Sequence, residues 1–172
     1  MSVETEVFPP ERLTNRHDLS AFSNGRHPSL DRWLKETART SEGLSARTYV
    51  LCLTDEPNRV IGYYSLSTTL LQRAALPAAR LRQGMPQDVP ALLIGRLAVD
   101  TAYQGVGLGA GLLHDALGRC IAVSEIAAVR AVIVHAIDDE AAGFYGRYGF
   151  IPSPVAAAVQ VLPIERLRKA GP

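Results

Sequence analysis

Residues 99–110 read Val99-Asp-Thr-Ala-Tyr-Gln-Gly-Val-Gly-Leu-Gly-Ala110, and the fold turns on this stretch. Before it, Ala91 to Val99 (ALLIGRLAV) is nearly continuously apolar and reads as a buried central strand. After it, Gly107 to Val123 carries apolar residues at Leu108, Leu112, Leu113, Ala116, Leu117 and Ile121, a helical stripe. A glycine-rich turn from a core strand into a helix can present several backbone N–H groups to one point, where the helix dipole favours negative charge. Side chains would block that approach, which is why glycines suit the positions. The stretch therefore predicts a phosphate-bearing ligand.

Two spacings can be read in the same letters. Gln104, Gly107 and Gly109 satisfy Q-x-x-G-x-G, whereas Gly105 to Ala110 satisfies the G-x-G-x-x-A dinucleotide fingerprint. Against the second, only about 65 residues follow the loop, too few for a full doubly wound fold. The next acid at a strand end, Asp138, lies more than 30 residues on, where about 20 is usual. A turn with a purely structural role is the third reading.

Working outward, the chain of 172 residues suits one domain, 1–172, with an ordinary core. Leu19 to Gly43 reads as a turn followed by a helix: Ser29 can cap it, Leu30, Trp33, Leu34, Thr37 and Ala38 share a face, and Gly43 is a stop. Thr48 to Thr54 and Val60 to Thr69 form a hairpin around Asp55 to Asn58. Leu71 to Pro90, with three prolines, is an irregular excursion with one helical turn. Ala131 to Ala136 is a core strand, and His135 on it reads as an interior residue. Asp138 to Tyr148 is a helix with acids at its start and Gly149 at its end, and a last strand runs near Val159 to Ile164. The order of strand, helix, strands, strand, helix, strand, helix, strand gives an α/β mixed sheet.

Hydrophobic residues make up 47% and charged residues 20%, as in a soluble globular protein. Cys52 and Cys120 stand apart among apolar neighbours, and no His/Cys spacing suggests a metal. Met1-Ser-Val-Glu-Thr-Glu is not a signal peptide. The apolar run from Ile121 to Ile137 is broken by Glu125 and Arg130, so a membrane helix is not expected and the cytoplasm is. A net charge of +1 gives the whole molecule little pull toward nucleic acid. The charge is uneven, however. Arg73, Arg80, Arg82 and Arg96 face one acid, Asp88, between residues 71 and 96, and Arg166, Arg168 and Lys169 face Glu165 in the tail. Such clusters serve as a solvated face or as a phosphate-tracking patch.

Asp138-Asp-Glu-Ala-Ala-Gly-Phe-Tyr-Gly-Arg-Tyr-Gly-Phe150 holds a second signature, F-Y-x-x-x-G-F. With the core strand and Q-x-x-G-x-G in this order, nearly the whole chain resembles the GNAT acetyltransferase superfamily. The resemblance implies a mixed, mostly antiparallel sheet flanked by helices (α+β) and acetyl-CoA as cosubstrate. It implies backbone contacts to the pantetheine and acetyl group from Leu97, Ala98 and Val99, and a pyrophosphate cradle from Gln104, Gly105, Val106, Gly107, Leu108 and Gly109. Tyr145, beside Phe144, would lie next to the thioester sulfur. Many members carry Asn where this chain has Asp138.

The chemistry narrows the acceptor. At pH 7 a lysine near pKa 10.4 is almost wholly charged, while an α-amine near 7.7–8.0 is roughly 10–15% neutral. Val60 to Thr69 and Ala91 to Val99 contain no Asp, Glu or His, so a less basic amine suits the site. Leu30-Asp-Arg-Trp-Leu34, Arg47-Thr-Tyr-Val50, Ile61-Gly-Tyr-Tyr-Ser-Leu66, Gly95-Arg-Leu-Ala-Val-Asp100 and Val134-His-Ala136 resemble the GNAT toxins of type II toxin–antitoxin modules. That resemblance implies acetylation of the α-amine of aminoacyl-tRNA and a halt to translation. It also implies a ribbon-helix-helix antitoxin and a homodimer. Arg73, Arg80, Arg82 and Arg96 become candidates for tRNA phosphates, with Arg39 and Arg47 behind them. A GNAT enzyme acting on a small amine or a protein N-terminus would carry the same motifs, as would a non-catalytic CoA-binding module.

Overall fold

The computed structural model describes residues 4–170, so Met1, Ser2 and Val3 of the acidic N-terminal stretch lie outside the described residues. Seven strands form one sheet: β1 (Glu11–Arg12), β2 (Arg47–Cys52), β3 (Val60–Gln72), β4 (Asp88–Val99), β5 (Ala131–His135), β6 (Ile151–Pro152) and β7 (Val159–Pro163). Their order is β1-β2-β3-β4-β5-β7-β6. β4 pairs with β5 in parallel, whereas β1–β2, β2–β3, β5–β7 and β6–β7 are antiparallel. The helices are α1 (Pro28–Glu36), α2 (Ala38–Ser41), α3 (Ala79–Arg82), α4 (Leu108–Ile126), α5 (Asp139–Arg147) and α6 (Ile164–Ala170). No described helix is long and apolar enough to cross a membrane.

The chain divides into two compact units, Met1–Leu66 with Arg96–Ala116 and Ser67–Gly95 with Leu117–Pro172. In the first, α1 and α2 lay Leu34 and Ala38 on Phe22, Val50, Cys52, Val60, Tyr63 and Ala98. The Tyr63 hydroxyl donates to the Leu30 carbonyl at 2.7 Å and pins the helix to β3. Another brace holds the N-terminal segment. The Thr14 N–H donates to His17 Nδ1, so Nε2 carries the proton and faces Glu11 Oε1 at 2.9 Å. Glu11, His17 and Cys52 bring ligand-type atoms within 4.8 Å of one another, but the imidazole is already committed on both nitrogens. In the second unit, Leu71, Leu76, Leu81, Val89, Ile133 and Val161 form the core. Arg130 binds Glu165 at 2.6 Å and so ties the start of β5 to α6.

Several expectations shift. Ser29 is inside α1 rather than its cap, because Pro28, with its fixed φ and missing N–H, takes the first helical position and His27 becomes the N-cap. The helix breaks at Thr37, which is exposed, and restarts as α2; Gly43 follows with φ +74°. β4 begins at Asp88 rather than Ala91, and β3 continues to Gln72. The excursion between them holds a 3-10 turn at Arg73–Ala75 as well as α3. His135 is exposed at the end of β5, not interior, since the strand leaves the core there. The tail from Ile164 is a helix beyond the last strand. In α4 the buried stripe is Leu112, Leu113, Ala116 and Cys120, with Leu108, Leu117 and Ile121 only partly covered.

Candidate active site

The glycine loop belongs to the first unit. Asp100 closes β4: its N–H donates to the Ile61 carbonyl at 2.8 Å, and its carboxylate accepts from the Ala102 and Ser23 N–H groups at 3.0 and 3.1 Å. A 3-10 turn at Thr101–Tyr103 follows, then the loop and α4. Gly105 and Gly107 adopt φ +81° and +89°, a region L side chains avoid, and a Cβ on either would meet open space. These glycines serve backbone conformation, not packing. The first helical bond of α4 runs from the Gly111 N–H to the Gly107 carbonyl at 3.1 Å. The N–H groups of Leu108, Gly109 and Ala110 therefore precede the intrahelical ladder. Exposed glycines and spare donors at the start of a 19-residue helix fit a pyrophosphate.

The Gln104 side chain supports this cradle from behind. Its Nε2 donates to the carbonyls of Asn24 and Val99 at 2.8 and 2.9 Å. The Asn24-Gly25 turn thus braces the loop, and a Cβ on Gly25 would come 2.9 Å from Thr101 Oγ1. Sequence reading missed this brace, because Asn24 and Gln104 lie far apart in the chain. Leu97 and Val99 are partly exposed, while the Ala98 side chain is spent on the core, leaving only its backbone for a ligand. Arg96 lies on the same strand, its Cζ 4.1 Å from the centroid of the Trp33 ring.

The second unit holds the other signature. Asp138 is the N-cap of α5 and accepts from the Ala141 N–H at 2.8 Å, so this carboxylate secures a helix start. Gly149, at φ +93°, ends the element. Tyr145 is 7% exposed, its ring edge-on to Phe144 and Phe150 at 5.2 and 5.5 Å. Its hydroxyl has no hydrogen-bond partner among the described residues. Burial pushes its pKa up to about 12, so the site raises the phenol rather than lowering it. Phe144 is half-buried.

The structure also sorts the arginines. Arg73 donates to the Met85 carbonyl at 3.0 Å, Arg82 to the Leu76 carbonyl at 2.7 Å, and Arg80 pairs with Glu165 at 3.6 Å. These three share the second unit, and Arg96 is in the first. Arg39 is bound to the Thr14 and His17 carbonyls, and Arg47 to Glu42 at 3.2 Å. In the tail, Arg166 and Arg168 donate to the carbonyls of Gly149 and Ser124.

Comparison with known proteins decides the family. Residues 33–160 match the model described as the acetyltransferase (GNAT) domain. The chain belongs to the GNAT acetyltransferase family. As such it is an N-acetyltransferase whose donor is acetyl-CoA. Among relatives of this GNAT protein is a tRNA-acetylating toxin of Mycobacterium tuberculosis (strain ATCC 25618 / H37Rv), 40% identical over 146 residues, or 84% of this chain and 85% of the relative. The structure of AtaT complexed with acetyl-methionyl-tRNAfMet superposes with a TM-score of 0.87 at 28% identity, covering 96% of this chain and 99% of the other. A mutant AtaT toxin bound to the C-terminus of the antitoxin AtaR and acetyl-CoA gives 0.79 at 27% identity, covering 96% and 98%. The sheet with its flanking helices agrees with the expected GNAT fold.

Proposed function

We propose that this single GNAT domain, residues 1–172, transfers an acetyl group from acetyl-CoA to the α-amine of aminoacyl-tRNA and thereby stops translation as the toxin of a toxin–antitoxin pair. The observation that carries the reading is the 40% identity to a tRNA-acetylating toxin across most of both chains. The likeness to AtaT bound to acetyl-methionyl-tRNAfMet supports it. The strand chemistry points the same way. β3 contains no acid or histidine, and the one acid of β4, Asp88, lies at the strand's first residue with its carboxylate accepting from Gln72 Nε2 at 3.0 Å. An acceptor that is partly neutral at working pH fits a site so poor in bases.

Acetyl-CoA supplies an activated thioester carbonyl. The N–H groups of Leu108, Gly109 and Ala110 hold the pyrophosphate, with Gln104, Gly105, Val106 and Gly107 shaping the turn. Backbone groups of Leu97, Ala98 and Val99 align the pantetheine, and a strand N–H polarises the carbonyl. Tyr145, flanked by Phe144, holds the proton for the departing sulfur. Asp138 sits where relatives place an amide; its cap on α5 keeps that contact to the pantetheine arm a matter of backbone. Arg73, Arg80, Arg82 and Arg96 are the candidates for the tRNA phosphates. A ribbon-helix-helix antitoxin, a homodimer and a cytoplasmic location complete the proposal, on the strength of the family's toxin branch.

The test is transfer of labelled acetyl from acetyl-CoA to charged tRNA. Label appears in the RNA fraction only when the tRNA is charged. If acetyl-CoA is bound but no label reaches the RNA, the toxin reading fails and small amines or protein N-termini become the acceptors to try.

A further inference from the structure

Arg96 differs from every other candidate arginine in how it is held. Tyr63 is fully buried on β3, its hydroxyl donating to the Leu30 carbonyl, and Phe22 packs edge-on against it at 5.6 Å. The Trp33 ring lies parallel to Tyr63, 9° between planes and 6.1 Å between centroids. The Arg96 guanidinium completes the column at 4.1 Å from Trp33. Strand alternation puts Arg96 on the same sheet face as Ala98, whose side chain enters the α1-covered core, and Leu97 and Val99 on the other.

The charge at the head of this column is not neutralised. Arg96 makes no hydrogen bond or ion pair with the described residues. Asp31, the acid in the first turn of α1, accepts from the Asn24 N–H and side-chain amide at 3.0 and 2.7 Å instead. Desolvation lowers the Arg96 pKa, opposed only by Tyr63. A partly buried cation without an anion is costly, whereas an arriving anion would recover that cost. The contact with the Trp33 ring holds the guanidinium in place without using its N–H donors, which stay available to a ligand. Arg73, Arg80 and Arg82 have already committed donors to carbonyls or to Glu165.

We infer that Arg96, fixed on Trp33, is the residue that grips a phosphodiester at the single-stranded 3′ end of the RNA acceptor and so sets the position of the aminoacyl group. This rests on the proposed tRNA function. A phosphate presents two equivalent oxygens that a flat fork can meet with parallel bonds. One residue further along β4 lies Leu97, where the proposed acetyl-binding backbone begins, so a phosphate held by Arg96 is held beside the reacting end. Trp33 acts through Arg96 as a positioning residue.

The experiment is binding of an uncharged RNA oligonucleotide ending in CCA to the full chain, titrated at several salt concentrations. Wild type is compared with Arg96→Gln, Arg96→Lys and Trp33→Leu, and each variant's melting temperature is recorded. The expected loss for Arg96→Gln is roughly 10- to 100-fold in affinity, with the salt slope falling by about 0.7, one single-strand phosphate. Arg96→Lys restores the slope but not the affinity, because the charge survives and the fork does not. Trp33→Leu keeps the slope and weakens affinity. Unchanged affinity and slope in Arg96→Gln overturn the inference. So does an affinity loss that follows melting temperature alone with the slope intact, or a wild type that does not bind the oligonucleotide. If wild type binds it through Arg96 but moves no acetyl to charged tRNA, the proposed function fails and this contact stands.

Discussion

Replacing Tyr145 by Phe removes one oxygen and leaves the packing untouched, and the proposed mechanism gives that oxygen a sharply limited job. The hydroxyl has no partner among the described residues, and burial lifts its pKa to about 12. A free thiol titrates near 8.5, so complete proton transfer from this phenol to a free thiolate is uphill by about 5 kcal/mol. On the proposed mechanism Tyr145 would then share its proton with the sulfur as the bond breaks, solvent completing the transfer. General acids of this kind are worth roughly 10²- to 10⁴-fold. We expect Tyr145→Phe to lower kcat for acetyl transfer to charged tRNA by about 10²-fold. The lower end applies because the phenol is the weaker acid. Affinity for acetyl-CoA, measured by calorimetry, should change little, and no lost protein hydrogen bond should depress the melting temperature. The sign of the pH effect follows. A phenol raised by folding is protonated throughout the neutral range, and the stability linked to it is full below the ordinary tyrosine value near 10 and declines as pH rises toward 12. Tyr145 therefore contributes no descending limb to the rate between pH 6 and 9. A mutant retaining more than a third of wild-type kcat would refute the role. A descending limb near pH 8 that disappears in the mutant would refute the pKa argument.

The loop, the thiols and the N-terminal brace give three further expectations. Gly107→Ala places a side chain at φ +89° with no atom to clash against, so it should cost about 1–2 kcal/mol of local strain; calorimetry should show weaker acetyl-CoA binding, and unchanged affinity would mean the loop does not hold the pyrophosphate. Burial pushes the Cys52 and Cys120 thiols up to about 11 and about 12, so iodoacetamide at pH 8 should label neither until denaturant unfolds the chain, as mass spectrometry can follow. The bond from His17, the largest cause, holds Glu11 below the ordinary glutamate value, aided by Arg16. A depressed acid contributes stability above its unfolded pKa and loses it as pH falls through the folded one. Glu11→Gln should therefore narrow its stability gap from wild type in acid below pH 4, read from urea midpoints; a gap independent of pH would remove the carboxylate from the argument.

The parts of this molecule visible in its sequence are those written in local pattern. The glycine loop, α4 and α5 announce themselves through spacing, because a helix repeats every 3.6 residues and a left-handed turn selects glycine. Gly105, Gly107 and Gly149 all take positive φ. The parts that stayed hidden depend on residues far apart in the chain. Nothing near Gln104 says that its amide reaches Asn24, and nothing near Arg96 says that Trp33 lies beneath it. Two-residue strands such as β1 and β6 are too short to carry a period. His135 misled because alternation within a strand does not reveal where the strand leaves the core. Counting arginines between residues 71 and 96 found a charge cluster, but the carbonyls and Glu165 that occupy three of them are a matter of geometry.

In an enzyme that must deprotonate an amine, the scarcity of bases on β3 and β4 would, on the proposed function, act as a filter on the acceptor. At pH 7 an α-amine near 7.7–8.0 is neutral in roughly one molecule of eight, and a lysine near 10.4 in roughly one of several thousand, a difference of about 300-fold before any contact is made. A nearby carboxylate or imidazole would erode that difference by helping the stronger base. With Asp88 engaged by Gln72 at the first residue of β4 and His135 exposed at the end of β5, the strands keep it intact. On the proposed function, selectivity for the α-amine would come from the acceptor's own acidity, leaving the protein to supply position. Position is what an uncommitted guanidinium fixed on Trp33 can provide, since a phosphate gripped there carries the adjoining ester and its amine with it.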